Sequence, residues 1–244
     1  MNTRLDLLQE LAKSRLKFIG NVTMQAVSKS DLTSPEFGLV LMATTSNANA
    51  TQHWIRYAQE CVFEDFDFLH EFCHVKLNEI GFKKVEGTIE QKIELCKSES
   101  EKKETNRAAI FIAEAYANSL LFRHFEEEST QLRERLDYSC LMPIPLHAIV
   151  QELGYRAIAE AVGYCIAKKW SGFNIETLLL AAFKEAFGTN GVFRTSTELY
   201  SMMSELPPIR ECHEIQNMTP EDVGSIVECT MKLSKIEKEY CSTR

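Results

Sequence analysis

His70-Glu71-Phe72-Cys73-His74 spells H-E-x-x-H within the run from Asp65 to Gly81. A helix is the one regular element that makes this string chemically coherent. At positions i and i+4 the two imidazoles lie one turn apart on the same face and can converge on a single metal ion. Glu71, beside His70, can reach a water in the metal's open position. The flanks favour a helix. Glu64, Asp65 and Asp67 supply a cap and negative charge at the N-terminal end. Leu69, Cys73, Leu77 and Ile80 form a stripe at spacings of four, four and three. Gly81 is a C-terminal stop. The expectation is a half-buried helix carrying two metal-ligating histidines, His70 and His74.

Two histidines leave a tetrahedral metal short of a third protein ligand. A second helix is expected over 105–127. Between Ala108 and Phe122 almost every residue is small or apolar, and Glu114 stands alone among them as a carboxylate. Carboxylates are rarely buried unless paired or metal-bound, so Glu114 is the candidate third ligand. Asn118, one turn further on, is placed to orient a histidine. Glu101 and Glu104 are weaker candidates, because they lie in a charged segment.

These residues resemble a known class. H-E-x-x-H followed downstream by a helix with a glutamate resembles the gluzincin metallopeptidases. Glu114-Ala115-Tyr116-Ala117-Asn118 with Leu120-Leu121 resembles the E-x-x-A-N element of the ImmA/IrrE-type metallopeptidases. The resemblance covers roughly residues 60–125. The interval from His74 to Glu114 is long for the family, no Met-Pro follows the Leu-Leu pair directly, and Lys76 stands where zincins usually carry an apolar residue. The resemblance implies a zincin-like helical core, Zn2+ as cofactor, and limited proteolysis of a regulatory protein such as a repressor.

The chain has 244 residues, enough for one large domain or two small ones. The expected class is mostly α (α+β), with a small N-terminal sheet and a helical C-terminal half. The division drawn is 1–139 for the metallopeptidase domain and 140–244 for a helical region packed on it, or one domain throughout. A first helix is expected over 3–18, with extended segments at 18–27 and 37–45. The second of these is either a core strand or an edge strand able to pair with an extended peptide. Residues 51–63 fit helix and strand equally. Thr88-Ile89-Glu90-Gln91 resembles a capping box opening a short helix, and 98–103 a solvated turn. Helices are expected over 146–170 and 174–187, and again from Thr219-Pro220-Glu221-Asp222 to about 239.

The net charge is −8 with no basic run, which argues against nucleic-acid or anionic-membrane partners. None of the 8 cysteines forms a C-x-x-C pair, and Asp6 and Glu10 interrupt the N-terminal leucines, so the expectation is free thiols in the cytoplasm. His53, His124, His147 and His213 are expected as surface or satisfied side chains. His147 or Tyr155 could donate to an oxyanion. The expected function is a zinc-dependent peptidase acting on a protein or peptide. His70, His74 and Glu114 hold the metal and Glu71 serves as general base. The competing reading is a non-catalytic helical interaction or scaffold protein in which H-E-x-x-H is accidental or inactive.

Overall fold

The computed structural model describes residues 3–34, 38–39, 41–130 and 219–242. It is mostly helical with a small sheet. The expected helices at 146–170 and 174–187, and the division at 139/140, lie outside the described residues. So do His147, Tyr155 and His213.

Helix α1 (Arg4–Leu16) opens on a reciprocal cap: Asp6 N donates to Thr3 Oγ1, and Thr3 N to Asp6 Oδ2. It ends where Lys17 takes the left-handed conformation, φ 54°. A three-stranded sheet follows in the order β1 (Asn21–Val27), β5 (Gln52–Ala58), β4 (Met42–Ser46). β1 runs parallel to β5 and β4 antiparallel to it. The undecided segment 51–63 therefore contains the central strand. Its alternation is that of a sheet with one covered face: His53 and Ile55 are buried, while Trp54 between them is exposed. The expected strand at 37–45 is interrupted. Thr33–Ser34 (β2) pairs with Gly38–Leu39 (β3) in a separate ribbon, and β4 begins only at Met42.

Helix α2 (Asp65–Glu79) carries H-E-x-x-H. Glu64 N donates to Asp67 Oδ2 at 3.0 Å to cap its start, and Gly81 takes φ 92° just past its end. The helix differs from expectation in depth. Phe68 to Cys73 and Val75 to Leu77 are all buried, so it is the central helix rather than a half-buried one. Full burial of Leu69 and Phe72 is worth roughly 1.5–3 kcal/mol each, and Phe72 also stacks on Phe18 with ring centroids 5.7 Å apart. Lys76 is buried too, and its Nζ donates to Lys17 O at 3.0 Å, next to Glu79 at 3.7 Å. That polar socket is what allows a lysine to be buried here.

Helix α3 (Lys83–Glu94) begins five residues before Thr88. The capping-box reading fails there. Thr88 is inside the helix and its hydroxyl donates back to Lys84 O at 2.9 Å. Ser98 caps helix α4 (Glu99–His124), whose first turn takes up most of the expected turn at 98–103. α4 crosses α2 and buries Ile112 and every residue from Ala115 to Phe122. The last described helix, α5 (Pro220–Ser242), starts at the expected Thr219–Asp222 cap and packs Ile226, Val227 and Thr230 toward α3 and α4. No helix among the described residues is long and apolar enough to cross a membrane.

Candidate metal centre

α2 and α4 meet where His70, His74, Glu114 and Asn118 face one another. His70 Nε2 lies 3.0 Å from Glu114 Oε2, and His74 Nε2 lies 3.1 Å from Glu114 Oε1. The two Nε2 atoms are 3.1 Å apart. Among the described residues this is the group of histidine, cysteine and acidic side chains whose ligand atoms converge. Helical spacing makes it possible: positions 70 and 74 share a face of α2, and 114 and 118 share a face of α4. The site is open on one side, with His70 5% exposed, His74 18% and Glu114 26%.

The hydrogen bonds assign the tautomer of His70. Asn118 Nδ2 donates to Glu114 O at 2.9 Å, so the amide oxygen of Asn118 is the atom turned to His70. That oxygen lies 3.1 Å from His70 Nδ1, and it accepts the Nδ1 proton. In a neutral ring the lone pair is then on Nε2, aimed at a carboxylate oxygen and at a second imidazole nitrogen. With His74 Nε2 and the Glu114 carboxylate facing the same point, that lone pair needs a cation or a shared proton beside it. A tetrahedral zinc with arms of about 2.0–2.1 Å has ligand-to-ligand edges of about 3.3 Å. The His70–His74 edge of 3.1 Å is close to that. The carboxylate meets the two rings with different oxygens, Oε2 toward His70 and Oε1 toward His74, and one ligand atom from each residue lies within 4.8 Å of the others. Two imidazoles, one carboxylate and an open fourth position are a donor set suited to zinc.

The electrostatics favour positive charge here. Burial works to push the Glu114 carboxyl up, but the two imidazoles overcome it and hold it well below the usual carboxylate range. Burial likewise works to lower His74, and Glu114 raises it above its ordinary value. Glu86 on α3 faces the same region. Its own burial raises its carboxyl despite Lys83 and His74, and its charge acts on His74.

Glu71 is buried on α2 and takes no part in the ligand triangle. Its Oε2 accepts a hydrogen bond from Thr44 Oγ1 at 2.6 Å. Thr44 was not among the residues the sequence pointed to. It sits in β4, 27 positions before Glu71, and only the packing of strand on helix joins them. Glu101 is elsewhere, accepting from Lys97 N at 2.8 Å near the start of α4. The side chain of Glu104 lies outside the described residues. Of the other histidines, His53 is fully buried in the sheet: Nδ1 lies 2.6 Å from Ser46 Oγ, and Nε2 3.6 Å from Glu79 Oε1. His124 is half-buried, its pKa lowered to about 4 by burial and by Arg123, Lys76 and Arg15.

Comparison with protein-family models, curated proteins and solved structures gave no match to this chain.

Proposed function

We propose that the chain is a zinc-dependent peptidase with a zincin-like core, in which His70, His74 and Glu114 hold the metal and Glu71 is the general base. The observation that carries this reading is the convergence of His70 Nε2, His74 Nε2 and the two Glu114 carboxylate oxygens in contacts of 3.0–3.1 Å, with the lone pair of His70 directed inward by Asn118. Zinc bound there would supply Lewis acidity, lowering the pKa of water and polarising a carbonyl. Glu71, one residue from His70 yet outside the ligand triangle, takes the proton of the attacking water and delivers it to the departing amine.

The neighbouring strand suits a peptide. Leu41 O accepts from Ala58 N and Asn47 N donates to Gln52 O, which fixes the hydrogen-bonded pairs of the β4–β5 ladder at the odd positions of β4. The main-chain groups of Met42, Thr44 and Ser46 therefore point away from β5, to the edge of β4 that pairs with no strand among the described residues. Lys83 Nζ, 3.3 Å from Ser46 O, approaches from that side. An extended peptide adding to this edge would run along α2 beside Glu71. The E-x-x-A-N resemblance supports limited proteolysis of a regulatory protein as the task.

Protein purified without added metal should contain about one zinc per chain, as three ligands and an open position require. Elemental analysis showing well under half an equivalent, with no uptake on adding zinc, overturns the reading and favours the non-catalytic scaffold.

A further inference from the structure

Thr44 is the residue of β4 that touches Glu71. Its Oγ1 donates to Glu71 Oε2 at 2.6 Å and also lies 3.3 Å from Glu71 O. One hydroxyl carries one proton, and the carboxylate takes it, since a hydrogen bond to a charged acceptor is the shorter and stronger. A glutamate side chain has three rotatable bonds and swings freely unless something holds its end. Thr44 is suited to hold it. A β-branched residue in a strand is stiff about χ1, and the strand itself is pinned in register against β5. Thr44 shares its face of the sheet with Met42, Ile55 and Tyr57, which are apolar or aromatic and pack into the core. With Oε2 occupied, Oε1 is the carboxylate oxygen of Glu71 that accepts no hydrogen bond among the described residues.

We propose that Thr44 is a positioning residue for Glu71. Its hydroxyl anchors one carboxylate oxygen so that the other stays free to receive a proton at a constant distance from the His70–His74–Glu114 triangle. The inference rests on the reading of that triangle as a metal centre and of Glu71 as its base. The Thr44 hydroxyl has its hydrogen-bond contacts with Glu71, not with the ligand atoms of the triangle. The same residue turns its main-chain N–H and C=O away from β5, so the anchor for the base and the main-chain groups at that edge of β4 belong to one residue.

The test uses the full chain loaded with cobalt in place of zinc, and follows visible absorption while acetohydroxamate is added. Acetohydroxamate chelates a metal through two oxygens and gives up its hydroxyl proton, for which Glu71 is the adjacent acceptor. Wild type and Thr44→Ser should bind it within about threefold of each other, and Thr44→Val about 10–100-fold more weakly, the scale of loss expected when a reacting group is displaced by about 1 Å. Imidazole coordinates through its unprotonated nitrogen and keeps its N–H on binding, so it should bind all three alike. Thr44→Ala drops the hydroxyl without adding a methyl, and repeats the comparison if Thr44→Val does not fold. Equal acetohydroxamate affinity for wild type and the hydroxyl-free variants overturns the inference alone. So does a Thr44→Ser variant as weak as Thr44→Val. A wild-type chain that takes up no cobalt overturns the metal reading, and this inference with it.

Discussion

His70 Nδ1 is 3.1 Å from Asn118 Oδ1, and that contact decides which nitrogen of the ring faces Glu114. Because Asn118 Nδ2 donates to Glu114 O, the amide presents its oxygen to His70, and the inward Nε2 is left with its lone pair. One amide thus orients both a histidine of α2 and the turn of α4 that carries the glutamate.

The metal-binding prediction follows from that arrangement. Glu114→Ala removes one of three ligands and should abolish tight zinc binding, while Glu101→Ala, whose carboxylate caps the other end of α4, should leave affinity unchanged. Asn118→Ala keeps all three ligands but loses the tautomer control, so its affinity should fall about 10–100-fold. Competition with a chromophoric chelator measures all three. An unaltered Glu114→Ala would remove the proposed third ligand.

Glu71→Gln separates binding from chemistry. Its side chain is not in the ligand triangle, so zinc content should stay near one per chain, while hydrolysis of a labelled protein substrate falls by about 10²–10⁴-fold. Near-normal rates in the mutant would assign the base to another residue.

Glu79 links acid stability to the sheet. Its carboxylate accepts from Ile19 N at 2.8 Å and from Gly20 N, beside His53 and Lys76. Burial pushes the carboxyl up, but His53, the two backbone N–H groups and Lys76 overcome it and hold it below the ordinary 4.5. The folded chain therefore binds fewer protons here than the unfolded chain. The stability this contributes is present above pH 4.5 and is lost as pH falls through the lower folded value. Glu79→Gln should cost about 1–3 kcal/mol at pH 7. It should also remove this acid-dependent part, so the difference between mutant and wild-type urea midpoints should shrink from pH 7 toward pH 3.

Gly20 has no room for a side chain. A Cβ there would lie 2.4 Å from His53 Nε2 and 2.7 Å from His53 Cδ2, and His53 is fully buried with Ser46 against its other nitrogen. Gly20→Ala should destabilise by about 1–3 kcal/mol through overpacking. Thermal unfolding would show it, and an unchanged midpoint would mean that His53 moves without cost.

The parts of this architecture that were legible in the sequence are those governed by spacing within one helix. His70 with His74, and Glu114 with Asn118, are each i,i+4 pairs, and the lone carboxylate in an apolar run marked α4 as the partner. The acids at 64–67 and Gly81 bounded α2. What was missed depended on tertiary packing. Thr44 has no local signal, because a threonine in a strand looks the same whether it faces solvent or a carboxylate. The Thr88 pattern suggested a helix start, but Val85 and Ile89 belong to one buried stripe, and continuing the helix through Thr88 buries both. At 51–63, Trp54 and Ile55 are adjacent large apolar residues on opposite faces, which hid the alternation that the sheet reveals.

Cys73 lies inside the H-E-x-x-H string with none of its surface exposed, and burial, with Glu71 nearby, pushes its thiol well above the ordinary value. Alkylation needs a thiolate and access to it, and Cys73 in the folded chain offers neither. Cys61 and Cys96 are partly exposed free thiols. Modification of Cys73 is therefore a clock for the opening of α2. The rate at which iodoacetamide labels it, read by peptide mass, reports how often the centre of the protein comes apart under native conditions.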